Sequence, residues 1–133
     1  MKKRFDSYCG IYCGACSTPG CNGCKIMDAK HWSPDCKFIK CAREKGIESC
    51  CFCSDYPCND IMQFDSDKYI HHRSILPNGR RIKEVGLEAW LEEHRQRWSC
   101  KQCGKPYTWF EDKCKSCGAD LFNVQAEFGS KDN

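Results

Sequence analysis

Large aliphatic side chains are scarce in this 133-residue chain, and the stretch from Met1 to Cys58 offers little beyond Ile11, Ile26, Ile39 and Ile47. So few apolar residues cannot enclose a large core, and a fold of this size needs another source of cohesion. No segment approaches the roughly 20 apolar residues of a membrane-spanning helix, which excludes an integral membrane protein of that kind. The opening Met1-Lys2-Lys3-Arg4-Phe5-Asp6-Ser7 has the charges of a secretory leader but no apolar stretch behind them. No histidine–carboxylate arrangement suggests a hydrolytic centre, so an enzyme is not the favoured reading. His71-His72 reads only as an exposed pair.

What the chain has instead is fifteen cysteines. The count is odd, and many sit in C-x2-C pairs, too tight for a typical disulfide framework. Metal ligation in a reducing compartment is therefore expected, with a cytoplasmic location. Ligation also changes the charge. The formal net charge of +3 counts every thiol as neutral, whereas ligating thiols are deprotonated and a zinc ion with four thiolates carries a net −2. Three such sites would turn +3 into about −3, so the apparent basicity gives no support to a nucleic-acid partner.

Three segments follow from the cysteine distribution. Residues 1–64 form a cysteine-rich, loop-dominated metal-binding region punctuated by Gly10, Gly14, Pro19, Gly20 and Gly23. A helix is expected over Asp35–Lys45, stopped by Gly46, and another from a cap at Asp55, with Pro57 in its first turn, to about Phe64. Residues 65–98 form a cysteine-free helical connector packed on both ends. Within it Leu87, Trp90, Leu91, His94 and Trp98 share one helix face. Pro77-Asn78-Gly79 reads as the turn before a short helix, Arg80–Val85, that bends or breaks at Gly86. Residues 99–126 form a zinc ribbon, and 127–133 a disordered tail. The fold class expected is a small, metal-stabilised α+β protein with a C-terminal β ribbon.

The ribbon is the sharpest signal. Cys100-Lys101-Gln102-Cys103-Gly104 and Cys114-Lys115-Ser116-Cys117-Gly118 are near-identical C-x2-C-G knuckles with ten residues between them. Two residues between cysteines make a tight turn whose N–H groups face the thiolates, and the following glycine permits the positive φ that ends it. Zinc is the expected metal, since closed all-thiolate sites are its usual structural setting, although mononuclear iron uses the same ligands. Pro106–Phe110 is expected to enter a hairpin with Glu111-Asp112 near its turn, and Leu121–Val124 to add a third strand. Tyr107, Trp109 and Phe110 either form an exposed docking surface or cover Trp98 and the helix face.

The N-terminal array comprises Cys9, Cys13, Cys16, Cys21, Cys24, Cys36, Cys41, Cys50, Cys51, Cys53 and Cys58. Eleven thiols suffice for two mononuclear sites with some left over. His31 offers a further nitrogen, although a lone histidine beside Trp32 is more often a surface residue. Zinc is favoured here, with an iron–sulfur cluster as the alternative. The bacterial ferredoxin run of closely spaced cysteines ending in C-P is absent. Of the adjacent pair, Cys51 reads as the spare thiol, either a buried small hydrophobe or a reactive group.

Cys9-Gly10-Ile11-Tyr12-Cys13-Gly14-Ala15-Cys16, Cys21-Asn22-Gly23-Cys24, Cys36 to Cys41, and Glu48 to Tyr56-Pro57-Cys58 together resemble the prokaryotic family numbered 3795 among domains of unknown function. The likeness continues through Arg81–Leu91 and Trp98-Ser99-Cys100. Members are small cysteine-rich bacterial and archaeal proteins. The resemblance implies metal binding by Cys9, Cys13, Cys16, Cys21, Cys24, Cys36, Cys41, Cys50, Cys53 and Cys58, and supplies no reaction. Three functions compete: a non-enzymatic zinc-binding module for a protein partner; an iron–sulfur, thiol-redox, metal- or sulfur-handling protein; and a nucleic-acid binder using Arg80, Arg81, Lys83, Arg95 and Arg97 with the ribbon aromatics. Glu92 and Glu93 beside those arginines favour a solvated helix face over the last.

Overall fold

The computed structural model describes residues 5–16, 23–25 and 36–129. Among these residues five helices carry the fold: α1 (Lys37–Lys45), α2 (Asn59–Asp65), α3 (Ile75–Val85), α4 (Leu87–Arg97) and α5 (Val124–Phe128). Single 3-10 turns precede or join them at Cys13–Ala15, Cys50–Phe52 and Ile70–Ser74.

Helix α1 forms as its sequence predicts. Phe38, Ile39 and Ala42 give it one apolar face, and Gly46 ends it in the left-handed conformation, its N–H reaching Ala42 O and Arg43 O. Helix α2 starts later than expected, with Cys58 rather than Asp55 at its N-terminus. The Cys50–Phe52 turn runs on through the bond from Tyr56 N–H to Cys53 O, and Tyr56 Oη reaches Ile75 O, so the chain reaches the helix only after Pro57.

Pro77-Asn78-Gly79 is not a turn but lies inside α3, whose buried residues Ile75, Asn78, Gly79 and Ile82 share one face. Proline is tolerated in a first helical turn. Asn78 is held by donating to Gly10 O (2.8 Å) and by His94 against its Oδ1 (3.1 Å). A side chain at Gly79 would collide with the Tyr56 hydroxyl. The break at Gly86 is as expected, with φ 90° and ψ 162°. On α4, Trp90 is fully buried and Trp98 nearly so, with Leu87, Leu91 and His94 half-buried on the same side.

Two apolar clusters make the core. One joins Tyr12, Ala15 and Cys51 to Ile82, Trp90 and Trp98, and these to Cys100, Tyr107, Cys114, Leu121 and Val124. The other gathers Ile11, Phe38, Cys50, Ile61 and Ile75. In the first cluster Trp90 of α4 meets Tyr12 edge-on at 6.1 Å.

The C-terminal β ribbon is a correction. Among the described residues no strand forms, and backbone pairing is confined to isolated antiparallel bridges, Asp6 with Tyr12, Ser99 with Pro106 and Lys113 with Asp120. The ladders cannot lengthen because the neighbouring backbone is committed elsewhere. Pro106 has no N–H, Thr108 N–H goes to the Glu111 carboxylate (2.8 Å), and Trp109 N–H goes to Ala15 O (3.3 Å). On the other side, Phe122 O accepts from Tyr107 Oη (2.8 Å) and Arg97 (2.7 Å). Asn123 then caps α5, its Oδ1 accepting from Ala126 N–H at 3.0 Å. Leu121–Val124 is thus an extended lead-in to a helix rather than a third strand, and residues 127–129 of the expected tail continue that helix and its cap; the rest of the tail lies outside the described residues.

Candidate metal centre

The two knuckles fold alike. In each, the glycine N–H returns to the first cysteine's carbonyl (Gly104 to Cys100 and Gly118 to Cys114, both 2.8 Å). The first cysteine's N–H goes five residues on, Cys100 to Lys105 O (2.8 Å) and Cys114 to Ala119 O (2.9 Å). One β-bridge closes each loop, Ser99–Pro106 and Lys113–Asp120. Gly104 and Gly118 take φ of 82° and 79°, the positive values the motif predicts.

These loops bring the sulfurs of Cys100, Cys103, Cys114 and Cys117 all within 4.8 Å of one another. Cys100 Sγ lies 3.6 Å from Cys117 Sγ, and Cys103 Sγ 3.5 Å from Cys114 Sγ. A tetrahedral ion with metal–sulfur bonds of about 2.3 Å sets its thiolates ~3.8 Å apart, so the four side chains fit one ion. The backbone prepares the charge. N–H groups of Cys103 and Gln102 lower the Cys100 thiol to about 6, and those of Cys117 and Ser116 lower Cys114. At Cys117 the N–H of Ala119 favours the thiolate, but burial and hydrogen bonding to Cys100, Cys114 and Cys103 outweigh it and push the group up to about 12. Four thiols this close cannot all ionise without a cation among them.

The aromatics beside the knuckles are mostly structural. Tyr107 is buried, stands 5.2 Å from the Trp98 ring and bonds Arg97 and Phe122 O. Trp109 stacks on His71 at 4.0 Å. Phe110 alone of the three is largely exposed, so covering Trp98 describes Tyr107 better than docking does. Arg97 ties the region together. It lies over the Trp98 ring at 4.0 Å and bonds Tyr107 Oη, Phe122 O and Glu127. Nothing in the linear pattern announced this hub.

Two of the other basic candidates on α3 and α4 are also engaged. Arg81 pairs with Glu84 and Glu93, and Arg95 pairs with Glu92. A cleft of about 300 Å³ between α3, α4 and α5 is lined by charged groups already paired with each other, Arg81 with Glu93 and Arg97 with Glu127. His71 and His72 are not an exposed pair. His72 is buried against Phe64 with Nδ1 2.6 Å from Asp67, and burial lowers the His71 imidazole to about 4.

In the N-terminal array, Cys21 and His31 lie outside the described residues. Cys13–Cys16 and Cys50–Cys53 adopt the same 3-10 turn, the fourth residue's N–H returning to the first's carbonyl at 3.1 and 3.0 Å. Cys50 packs in the second apolar cluster with Cys9, Cys36 and Cys58 against it. Cys41 is exposed, and Cys53 is held by Lys45 Nζ at 2.9 Å, which favours its thiolate. Cys51 is buried in the other cluster, and burial raises its thiol, the behaviour of a small hydrophobe.

Among the described residues, no helix is long and apolar enough to cross a membrane. No curated protein and no solved structure matches the chain. Residues 17–63 match the model of one family, and with that match covering the cysteine-rich stretch from Cys21 to Cys58 but neither Cys9–Cys16, Arg81–Leu91 nor the C-terminal knuckles, the chain is similar there to the family described as "Protein of unknown function (DUF3795)".

Proposed function

We propose that this chain is a non-enzymatic metal-binding module whose C-terminal knuckles hold one structural zinc ion through Cys100, Cys103, Cys114 and Cys117. The observation that carries the reading is the convergence of those four sulfurs within 4.8 Å. Four protein thiolates complete a tetrahedron and leave no position for a water, so the ion serves cohesion rather than hydrolysis. Cys100 and Cys114 belong to the same apolar cluster as Trp90 and Tyr12, which couples the ion to the rest of the fold. The N-terminal thiols supply further metal-binding capacity. We take the module's partner to be a protein rather than a nucleic acid, because Arg81, Arg95 and Arg97 are each neutralised by a glutamate.

Metal analysis of the purified full chain tests the zinc assignment. The wild type should carry one zinc equivalent that Cys103→Ser loses, and cobalt replacing it should give thiolate charge-transfer bands. Iron without sulfide, lost on the same substitution, would reassign the ion as rubredoxin-like. No change in metal content on substitution would remove the site. Strong, salt-dependent retention on single-stranded DNA would overturn the choice of partner.

A further inference from the structure

We propose that the cleft between α3, α4 and α5 is a binding site for a free α-amino acid with an aromatic or large apolar side chain. The site goes beyond metal binding and does not depend on it, since none of the described cysteines lines the cleft. Separate parts of the fold build it. Tyr12 of the N-terminal loop, Asn78 of α3, His94 of α4, Trp109 between the knuckles and Val124 of α5 all reach it. Junctions of this kind, apolar with a few convergent polar groups, are where small-molecule sites form.

The charges of the cleft alternate in sign. Arg81 pairs with Glu93 at 2.7 Å, and Arg97 pairs with Glu127 at 2.7 Å. Glu93 and Arg97 stand one helical turn apart on α4, in the order at which an acid and a base favour pairing with each other. Here each is drawn to a different helix, Glu93 to α3 and Arg97 to α5, which opens a gap between a carboxylate and a guanidinium. Neither head is used up. Arg81 approaches Glu93 through Nε and Nη2, and a carboxylate has about four acceptor positions. Arg97 serves Tyr107 Oη and Phe122 O through Nη1 and Glu127 through Nη2, which leaves Nε–H and a second Nη2 hydrogen. A molecule with an ammonium and a carboxylate on one carbon fits that gap, the ammonium donating to Glu93 and the carboxylate accepting from Arg97. The lining is neutral in sum, its two arginines balanced by its two glutamates, and burial lowers the His94 imidazole from its ordinary value. Such a lining favours a zwitterion over a phosphate.

The walls suit an apolar side chain. Tyr12, Trp98, Trp109 and Phe128 present rings to the cleft, and Val124 adds aliphatic surface. Tyr12, Trp98 and Val124 are buried in the first apolar cluster, and Trp109 is held by its stack on His71, so these walls stand preformed. His94 Nε2 donates to Asn78 Oδ1 (3.1 Å), and Asn78 Nδ2 donates to Gly10 O (2.8 Å). Those two side chains satisfy each other, which leaves the recognition of charge to Glu93 and Arg97. At about 300 Å³ the cleft lies at the lower end of small-molecule sites, the size of an amino acid rather than a nucleotide. A terminus of a protein chain carries only one of the two charges, so the site selects the free amino acid.

The test is isothermal titration calorimetry of the full chain, as purified, with L-phenylalanine, L-tryptophan and L-leucine. At least one should bind, and L-phenylalanine or L-leucine should also change the tryptophan fluorescence, because Trp98 and Trp109 line the cleft. The tightest of the three is then compared with its deaminated and decarboxylated analogues, which for L-phenylalanine are 3-phenylpropionate and phenethylamine. Each analogue should bind at least about tenfold more weakly, the loss of one charge-assisted hydrogen bond. Glu93→Gln should weaken binding by about the same factor with an unchanged helical circular dichroism spectrum. Glu84→Gln, which also removes a partner of Arg81 but stands outside the cleft, should bind as the wild type does. No binding of any of the three at up to about 10 mM overturns the proposal, as does an analogue that binds as tightly as its parent. The analogue comparison uses the wild type alone, so it decides the matter even where Glu93→Gln fails to fold.

Discussion

His71 shows how much a single side chain depends on its tertiary setting. In the sequence it is half of a polar pair, yet the fold stacks it on Trp109 and beside His72, with Asp67 the nearby carboxylate. Burial, then the neighbouring His72, lowers its pKa from 6.5 to about 4. Between those values the unfolded chain binds more protons than the folded one, so stability must rise with pH through that window and level off above it. On acidification the loss begins near pH 6.5 and is complete below about 4. Urea unfolding of the wild type and of His71→Gln at several pH values checks this. The variant should show a flatter stability profile between those limits, and parallel profiles would mean that His71 does not titrate there. His72 and Asp67 are present in both proteins, so the difference reports His71 together with its coupling to His72.

At the level of elements, the break between α3 and α4 sets the geometry of the helical half. Without it the two periodic stretches would merge into one long helix, and Arg81 could not meet Glu93 at 2.7 Å. Gly86 adopts φ 90° and ψ 162°, a region essentially restricted to glycine, with nothing within 4 Å of where a side chain would stand. Gly86→Ala should therefore destabilise the protein by about 1–3 kcal/mol through backbone strain alone, read from the denaturation midpoint at unchanged slope. No loss would mean that the break relaxes to another conformation. This break was legible in the sequence, because a glycine interrupting two apolar-periodic runs has few other readings. The Pro77-Asn78-Gly79 segment was misread, because its composition matches a turn while its place is decided by Asn78 bonding Gly10, 68 positions away.

Across the whole molecule, one apolar cluster runs from Tyr12 through Trp90 to Cys100 and Cys114. Removing the proposed zinc should therefore be felt well beyond the knuckles. Chelation under reducing conditions is expected to lower the melting temperature of the chain by more than about 10 °C, since structural zinc contributes several kcal/mol of folding free energy. Near-ultraviolet circular dichroism, which reports Trp90 and Trp98, should lose amplitude in the same transition. A melting curve unchanged by chelation would show that the knuckles fold without metal.

The sequence by itself determined the C-terminal four-cysteine cluster, the helix at Lys37–Lys45 and the buried face of α4. Each is encoded over a few adjacent turns of chain, by a C-x2-C-G knuckle, a glycine stop or a repeat of apolar positions. Tertiary structure decided what local patterns cannot carry. It turned the expected ribbon strands into isolated bridges by drawing Trp109 N–H to Ala15 and Phe122 O to Tyr107 and Arg97. It placed Tyr107 inside and left Phe110 out, and it packed Cys9, Cys36 and Cys58 against the apolar cluster that holds Cys50. Those outcomes depend on which distant backbone groups and thiols compete for the same partner, and that competition is settled only when the chain closes on itself.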